Sequence, residues 1–231
     1  MAPDASSASP ATGTVIDSGS AATPIAGATV CILDHSEIPC ATTNGNGIYS
    51  IELPALTASP LDVAMNVTAE GYLGFTGITA GYVGSASIVP TGPAWFSTIP
   101  LMSDATAATI LEAQAGFQYP PASNAFVQLS VFHAAGGADT GVTVALSPAP
   151  DVAAVYADAS GVLNPALTSV TSNGYVWFGS VTPGKIVATV SDAACVPVQN
   201  LADYAWNDSE PHSVAGETAA DSVTWMTIIC Q

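Results

Sequence analysis

Apolar and polar residues alternate in short runs along this chain, and Gly, Pro or Asn interrupts each run. The first such series is Gly13-Thr-Val-Ile-Asp17, Pro24-Ile-Ala-Gly-Ala-Thr-Val30, Thr42-Thr-Asn-Gly-Asn-Gly-Ile-Tyr49, Leu53-Pro54 and Ala69-Glu-Gly-Tyr72. Period-two alternation between turn residues is the pattern of half-buried antiparallel strands, so the chain is predicted to be all-β and built as sandwiches. Gly27 and Gly47 fall where turns need positive φ, and Pro54 marks a strand end because it cannot donate to a ladder.

The second half repeats this order in other residues. Gly141-Val-Thr-Val-Ala-Leu146 echoes Gly27-Ala-Thr-Val-Cys-Ile32, and Thr171-Ser-Asn-Gly-Tyr-Val176 echoes the run from Thr43 to Tyr49. The pattern predicts four parts: a flexible leader over 1–12, a sandwich over 13–103, a helical linker over 104–123, and a second, divergent sandwich over 124–231 that opens with a strand from Ala125 to His133. In the linker Ser103 or Asp104 can cap a short helix, Ile110 and Leu111 supply its packing face, and Gly116 can end it.

The blocks Pro24–Val30, Thr42–Tyr49 and Glu70–Tyr72 resemble the carboxypeptidase regulatory-like domain, a transthyretin-like sandwich related to collagen-adhesin B-type repeats. The resemblance covers residues 11–104 and extends to 124–231 through Val181-Thr-Pro-Gly-Lys-Ile186. It implies two tandem transthyretin-like Greek-key sandwiches and an accessory, structural or adhesive role without peptidase activity. Adhesin repeats of this kind often carry a Lys-to-Asn crosslink. The first half has no Lys, and Lys185 departs from the first-strand position such a bond needs, so an exposed Lys on a strand edge is expected there.

Charge narrows the class of partner. The chain has 18 acidic residues, one cation and a net charge of -17, yet charged residues are only 8% of it. Cations are missing rather than acids enriched, so water, backbone N–H groups or metal cations must satisfy the carboxylates. Phosphate contacts need Lys and Arg, which excludes nucleic acid and disfavours anionic membranes. A protease that cuts after Lys or Arg has one site, Lys185-Ile186, a composition suited to life among secreted proteases.

Four cysteines fall as two pairs, Cys31 with Cys40 and Cys195 with Cys230. Disulfides in an extracellular chain are expected, with four buried free thiols as the alternative. The N-terminus lacks the basic and apolar regions of a signal peptide, which suggests a mature secreted chain or a lipoprotein freed of its anchor.

Candidate chemistry is sparse. There is no Gly-x-Ser-x-Gly elbow, and His35, His133 and His212 stand in unrelated contexts, so no enzyme is expected. A Ser-His-Asp set built on His133 and Asp139 has only sequence proximity behind it. Asp34, His35 and Glu37 read as a solvated hairpin tip, too few for a zinc site. The excursion from Val196 to Ser222 carries Tyr204, Trp206, Asn207, Asp208 and Glu210, where rings beside acids and amides suit a sugar face. Asp208, Glu210, Glu217 and Asp221 are alternative calcium ligands, and the bland reading is a loop with Trp206 on the core. No other cofactor is indicated.

These readings converge on a non-enzymatic structural or adhesive protein of a bacterial cell surface or matrix, partnered by surface proteins or glycans. The alternatives are a carbohydrate-binding or calcium-dependent recognition module and a self-assembling β-rich filament or surface-layer subunit.

Overall fold

A computed structural model describes residues 10–19, 22–52, 61–82, 98–192, 194–195, 206–207 and 210–230. It is nearly all β, with sheets packed as sandwiches and one short helical connection. The strands of the first half are β1 (Pro10–Asp17), β2 (Thr29–Ile32), β3 (Ala41–Thr42), β4 (Ile48–Glu52), β5 (Leu61–Thr68), β6 (Tyr72–Tyr82) and β7 (Thr98–Ser103). Those of the second are β8 (Ala125–His133), β9 (Val144–Ser147), β10 (Val155–Ala157), β11 (Leu163–Asn164), β12 (Tyr175–Val181), β13 (Gly184–Val190), β14 (Trp206–Asn207), β15 (Ser213–Thr218) and β16 (Ser222–Cys230).

The two halves share one plan. β1 pairs antiparallel with β4 and parallel with β7, and β8 pairs antiparallel with β12 and parallel with β16. On the facing layers β2–β5–β6 is matched by β9–β13–β15. The turns agree bond for bond: Val15 N–H to Gly47 O is matched by Val131 N–H to Gly174 O, and Gly27 N–H to Thr43 O by Gly141 N–H to Val170 O. All four of these glycines hold positive φ, between 71° and 86°, which a Cβ would strain.

The connection is less regular than the predicted helix. Only Asp104–Ala107 (α1) is α-helical, and Ala108–Gln114 continues as a π-helical stretch. Ser103 Oγ accepts from Thr106 N–H at 3.3 Å, and Gly116, at φ +73°, stops the run. Leu111 and Phe117 are buried, and Tyr119 donates its hydroxyl to Asp104 Oδ1 at 2.6 Å. Burial and that carboxylate both raise the Tyr119 pKa.

The halves are joined by β16. One edge of this C-terminal strand pairs with β8 along Val223–Cys230, and the other pairs with β6 along Ser222–Thr224. One sheet therefore runs β11–β10–β12–β8–β16–β6–β5–β2–β3 through both halves. At the seam a Cβ on Gly74 would lie 2.7 Å from the Asp221 carbonyl, so only glycine lets the two segments approach this closely. Thr76 and Ser222 share a buried hydroxyl bond at 2.8 Å, and Phe75 meets Trp225 edge-on at 5.2 Å.

Alternation then sorts side chains into two cores. Ala125, Val127, Leu129, Val131, Met226 and Ile228 fill a core made wholly by the second half. Their neighbours on the same strands point the other way: Phe126, Trp177 and Val223 join Val15, Met65, Leu101, Leu111 and Phe117 in a core that both halves build. Period two on strands buried on both faces explains this division.

Candidate functional site

The Cys31–Cys40 disulfide closes a short loop at the end of β2. Inside it Ile38 is buried, and its N–H donates to His35 O at 2.9 Å, while Asp34 holds a left-handed backbone at φ +59°. Asp is among the few residues that accept that conformation without large strain. The loop tip faces the β13–β15 ladder of the second half, where Lys185 lies directly opposite Glu217. Between them is a cleft of about 350 Å³ lined by Leu33, Asp34, His35, Ala64, Lys185 and Glu217.

This cleft sets the chain's one cation beside a buried carboxyl. Glu217 is only 9% exposed, and its carboxyl lies within hydrogen-bonding reach of Asp34. Burial raises its pKa first and the neighbouring Asp34 raises it further, while Lys185 and His35 act in the opposite direction. At the loop tip His35 Nδ1 bonds Glu37 Oε1 at 2.8 Å, and that bond lowers the Glu37 pKa.

The structure corrects two expectations and bears out a third. The Asp34–His35–Glu37 tip is not simply solvated, because Asp34 and His35 line the cleft. Lys185 is exposed as expected, opposite Glu217 on β15, and β9 joins β13 only from Val187 onward, so among the described residues Lys185 is paired on one side alone. His133 and Asp139 do meet, with Nε2 3.4 Å from the buried Asp139 Oδ1. Among the described residues no serine hydroxyl is hydrogen-bonded to that ring, so the contact is a histidine–carboxyl pair at the rim of β8 and not a triad.

The residues proposed for sugar or calcium do not form one described constellation. Tyr204 and Asp208 lie outside the described residues, and Trp206 and Asn207 are described only as the backbone of β14. Glu210 is exposed. Glu217 belongs to the cleft, whereas Asp221, in the turn after β15, accepts from Ser123 N–H at 3.3 Å. Among the described residues no group of three or more His, Cys, Asp or Glu side chains is placed to hold a metal ion. Both disulfides are formed, and Cys195–Cys230 ties the segment after β13 to the end of β16. Beside it, His212 Nδ1–H donates to the Cys195 carbonyl.

The meeting of Asp34 with Glu217 was absent from the sequence reading. The one signal was the rarity of cations, which singles out Lys185; the register that sets Glu217 opposite it is not legible from alternation.

No protein-family model matches the chain, and no curated protein matches it. The carboxypeptidase regulatory-like assignment is therefore not confirmed. Among solved structures it is similar to the TIE protein of Bacillus anthracis, with a TM-score of 0.29 and 11% identity over 95% of this chain and 33% of that one. A streptococcal ancillary pilin gives 0.30 and 10% over 83% of this chain and 50% of that one. The major pilin subunit BcpA of Bacillus cereus, as its D312A form, gives 0.28 and 10% over 96% and 100%. The chain thus spans a third to a half of the length of the first two. At these scores the likenesses place it in no family.

Proposed function

We propose that this chain is a non-enzymatic structural or adhesive protein that works outside the cell. The observation that carries the reading is β16, which stitches two sandwiches into one sheet and is itself fastened by Cys195–Cys230. β8 holds this strand along Val223–Cys230 and β6 holds its start at Ser222–Thr224, so it cannot leave one half without losing its bonds to the other. Two disulfides suit an oxidising compartment, and a surface nearly free of cations suits contact with proteins or glycans rather than nucleic acid. No helix among the described residues is long and apolar enough to cross a membrane.

The test is retention under flow of beads coated with the oxidised chain. The surfaces are matrix proteins, a glycan panel and a second layer of the same chain. Firm retention on at least one of them is expected. Background retention on all, together with a hydrolase activity lost on a single substitution, would overturn the reading.

Self-assembly is a second reading. The five-residue strand β4 pairs with β1 on one side only among the described residues, and it carries the exposed Ile48 and no Lys to discourage strand addition. Light scattering would give a mass well above 23.0 kDa if that edge joins copies. A monomer at high concentration would contradict it.

A further inference from the structure

We propose that Asp34 and Glu217 form a proton-held latch that fastens the disulfide-closed loop of the first half onto β15 of the second. The placement is what carries it. The loop from Cys31 to Cys40 is short and covalently closed, and it follows the end of β2 directly. The tip reaches across to the facing ladder, where Glu217 is buried on β15 and Lys185 sits opposite it on β13. Asp34 is exposed and lines the same cleft as Glu217, His35 and Lys185.

With a proton on Glu217, its carboxyl donates to the Asp34 carboxylate and the loop stays down. When that proton leaves, two like charges meet beside a buried wall and the tip is pushed off. The charged and titratable groups that face Glu217 are Asp34 and His35 on the loop and Lys185 on β13. Lys185 and a protonated His35 favour the ionised form. They offset part of the penalty and set how high the release point lies.

The pH direction follows from linkage. Glu217 binds its proton more tightly in the folded chain than in the unfolded one. Its contribution is therefore full below the ordinary carboxylate value of 4.5 and is lost as pH rises through the raised midpoint. The loss is confined to the interval between the ordinary and the raised value, and the latched fraction levels off above it. The device makes the junction between the halves tighter in acid and looser towards neutrality, opposite to a salt bridge between Asp and Lys.

The experiment uses the full oxidised chain. Carbon-detected NMR follows the Glu217 carboxyl, and amide exchange, corrected for its intrinsic pH dependence, follows Ile38 in the loop against Val127 in β8. Glu217 is expected to titrate above the ordinary range, with a lower midpoint in Asp34→Asn, a substitution the left-handed backbone tolerates. Ile38 exchange is expected to quicken as pH rises through the midpoint while Val127 does not. In Glu217→Gln, whose amide donates to Asp34 at every pH, that change should vanish. A Glu217 midpoint in the ordinary range, or an Ile38 profile unaltered by Glu217→Gln, would overturn the latch. Protection of Ile38 at high pH by calcium, reversed by chelator, would also overturn it, because a cation and not a proton would then join the pair.

Discussion

Thr43 and Val170 occupy the same place in the two halves and fill it differently. Each donates its backbone N–H to the strand that follows the first turn, Thr43 to Ala28 O and Val170 to Val142 O. Thr43 adds a buried hydroxyl that accepts from Ala28 N–H at 2.8 Å and donates to Ile25 O at 2.7 Å. Val170 fills the site with apolar volume. One backbone plan is thus closed by polar bonds in the first half and by packing in the second. The larger contrast lies in the cores: the second half owns one outright, whereas the first completes its own with Phe126, Trp177 and Val223 borrowed from the second.

The most severe way to break this contrast is Phe126→Ala. Truncating a fully buried Phe costs about 3–5 kcal/mol, and because its ring lies in the shared core both halves should lose stability together. Unfolding followed by separate probes in the two halves checks this. A shift confined to the second half would mean that the shared core is not shared energetically.

The disulfides give a graded comparison. In the chain-entropy model the Cys195–Cys230 link, with a separation of 35, is worth about 4 kcal/mol, and Cys31–Cys40, with a separation of 9, about 2.5 kcal/mol. Paired Cys→Ser variants in denaturant should lose stability in that order. The opposite order would indicate that the short loop matters beyond chain entropy.

Thr43→Val tests the polar closure. It leaves Ala28 N–H and Ile25 O without the hydroxyl and should cost about 1–3 kcal/mol. A neutral result in chemical denaturation would make the two closures interchangeable. The smallest effect is a null one: trypsin should leave the folded chain whole, since Lys185 and Ile186 are both held in the β13–β15 ladder, while the unfolded chain is cut once. A nicked native chain would show that this ladder opens readily.

Much of the framework could be read from the residues. Alternation located β8 from Ala125 to His133, the Ser103 cap and Gly116 stop framed the connection, and the cysteine pairs fell as they are bonded. The π-helical continuation was not foreseen, because Ala-Thr-Ile-Leu-Glu reads equally well as α-helix and nothing local distinguishes the two. Nor was the double pairing of β16. Alternation tells which faces of a strand are buried and is silent on which neighbours its edges take. The Asp34–Glu217 contact was hidden for a related reason: each residue looks exposed and polar in its local sequence, and only the facing of two distant ladders brings them together.

The direct test of the central claim is calorimetry of the oxidised chain at neutral pH. If β16 and the shared core make the halves one cooperative unit, there will be a single transition whose calorimetric and van't Hoff enthalpies agree. Two resolved transitions, or a calorimetric enthalpy near twice the van't Hoff value, would show two independent sandwiches and contradict the account.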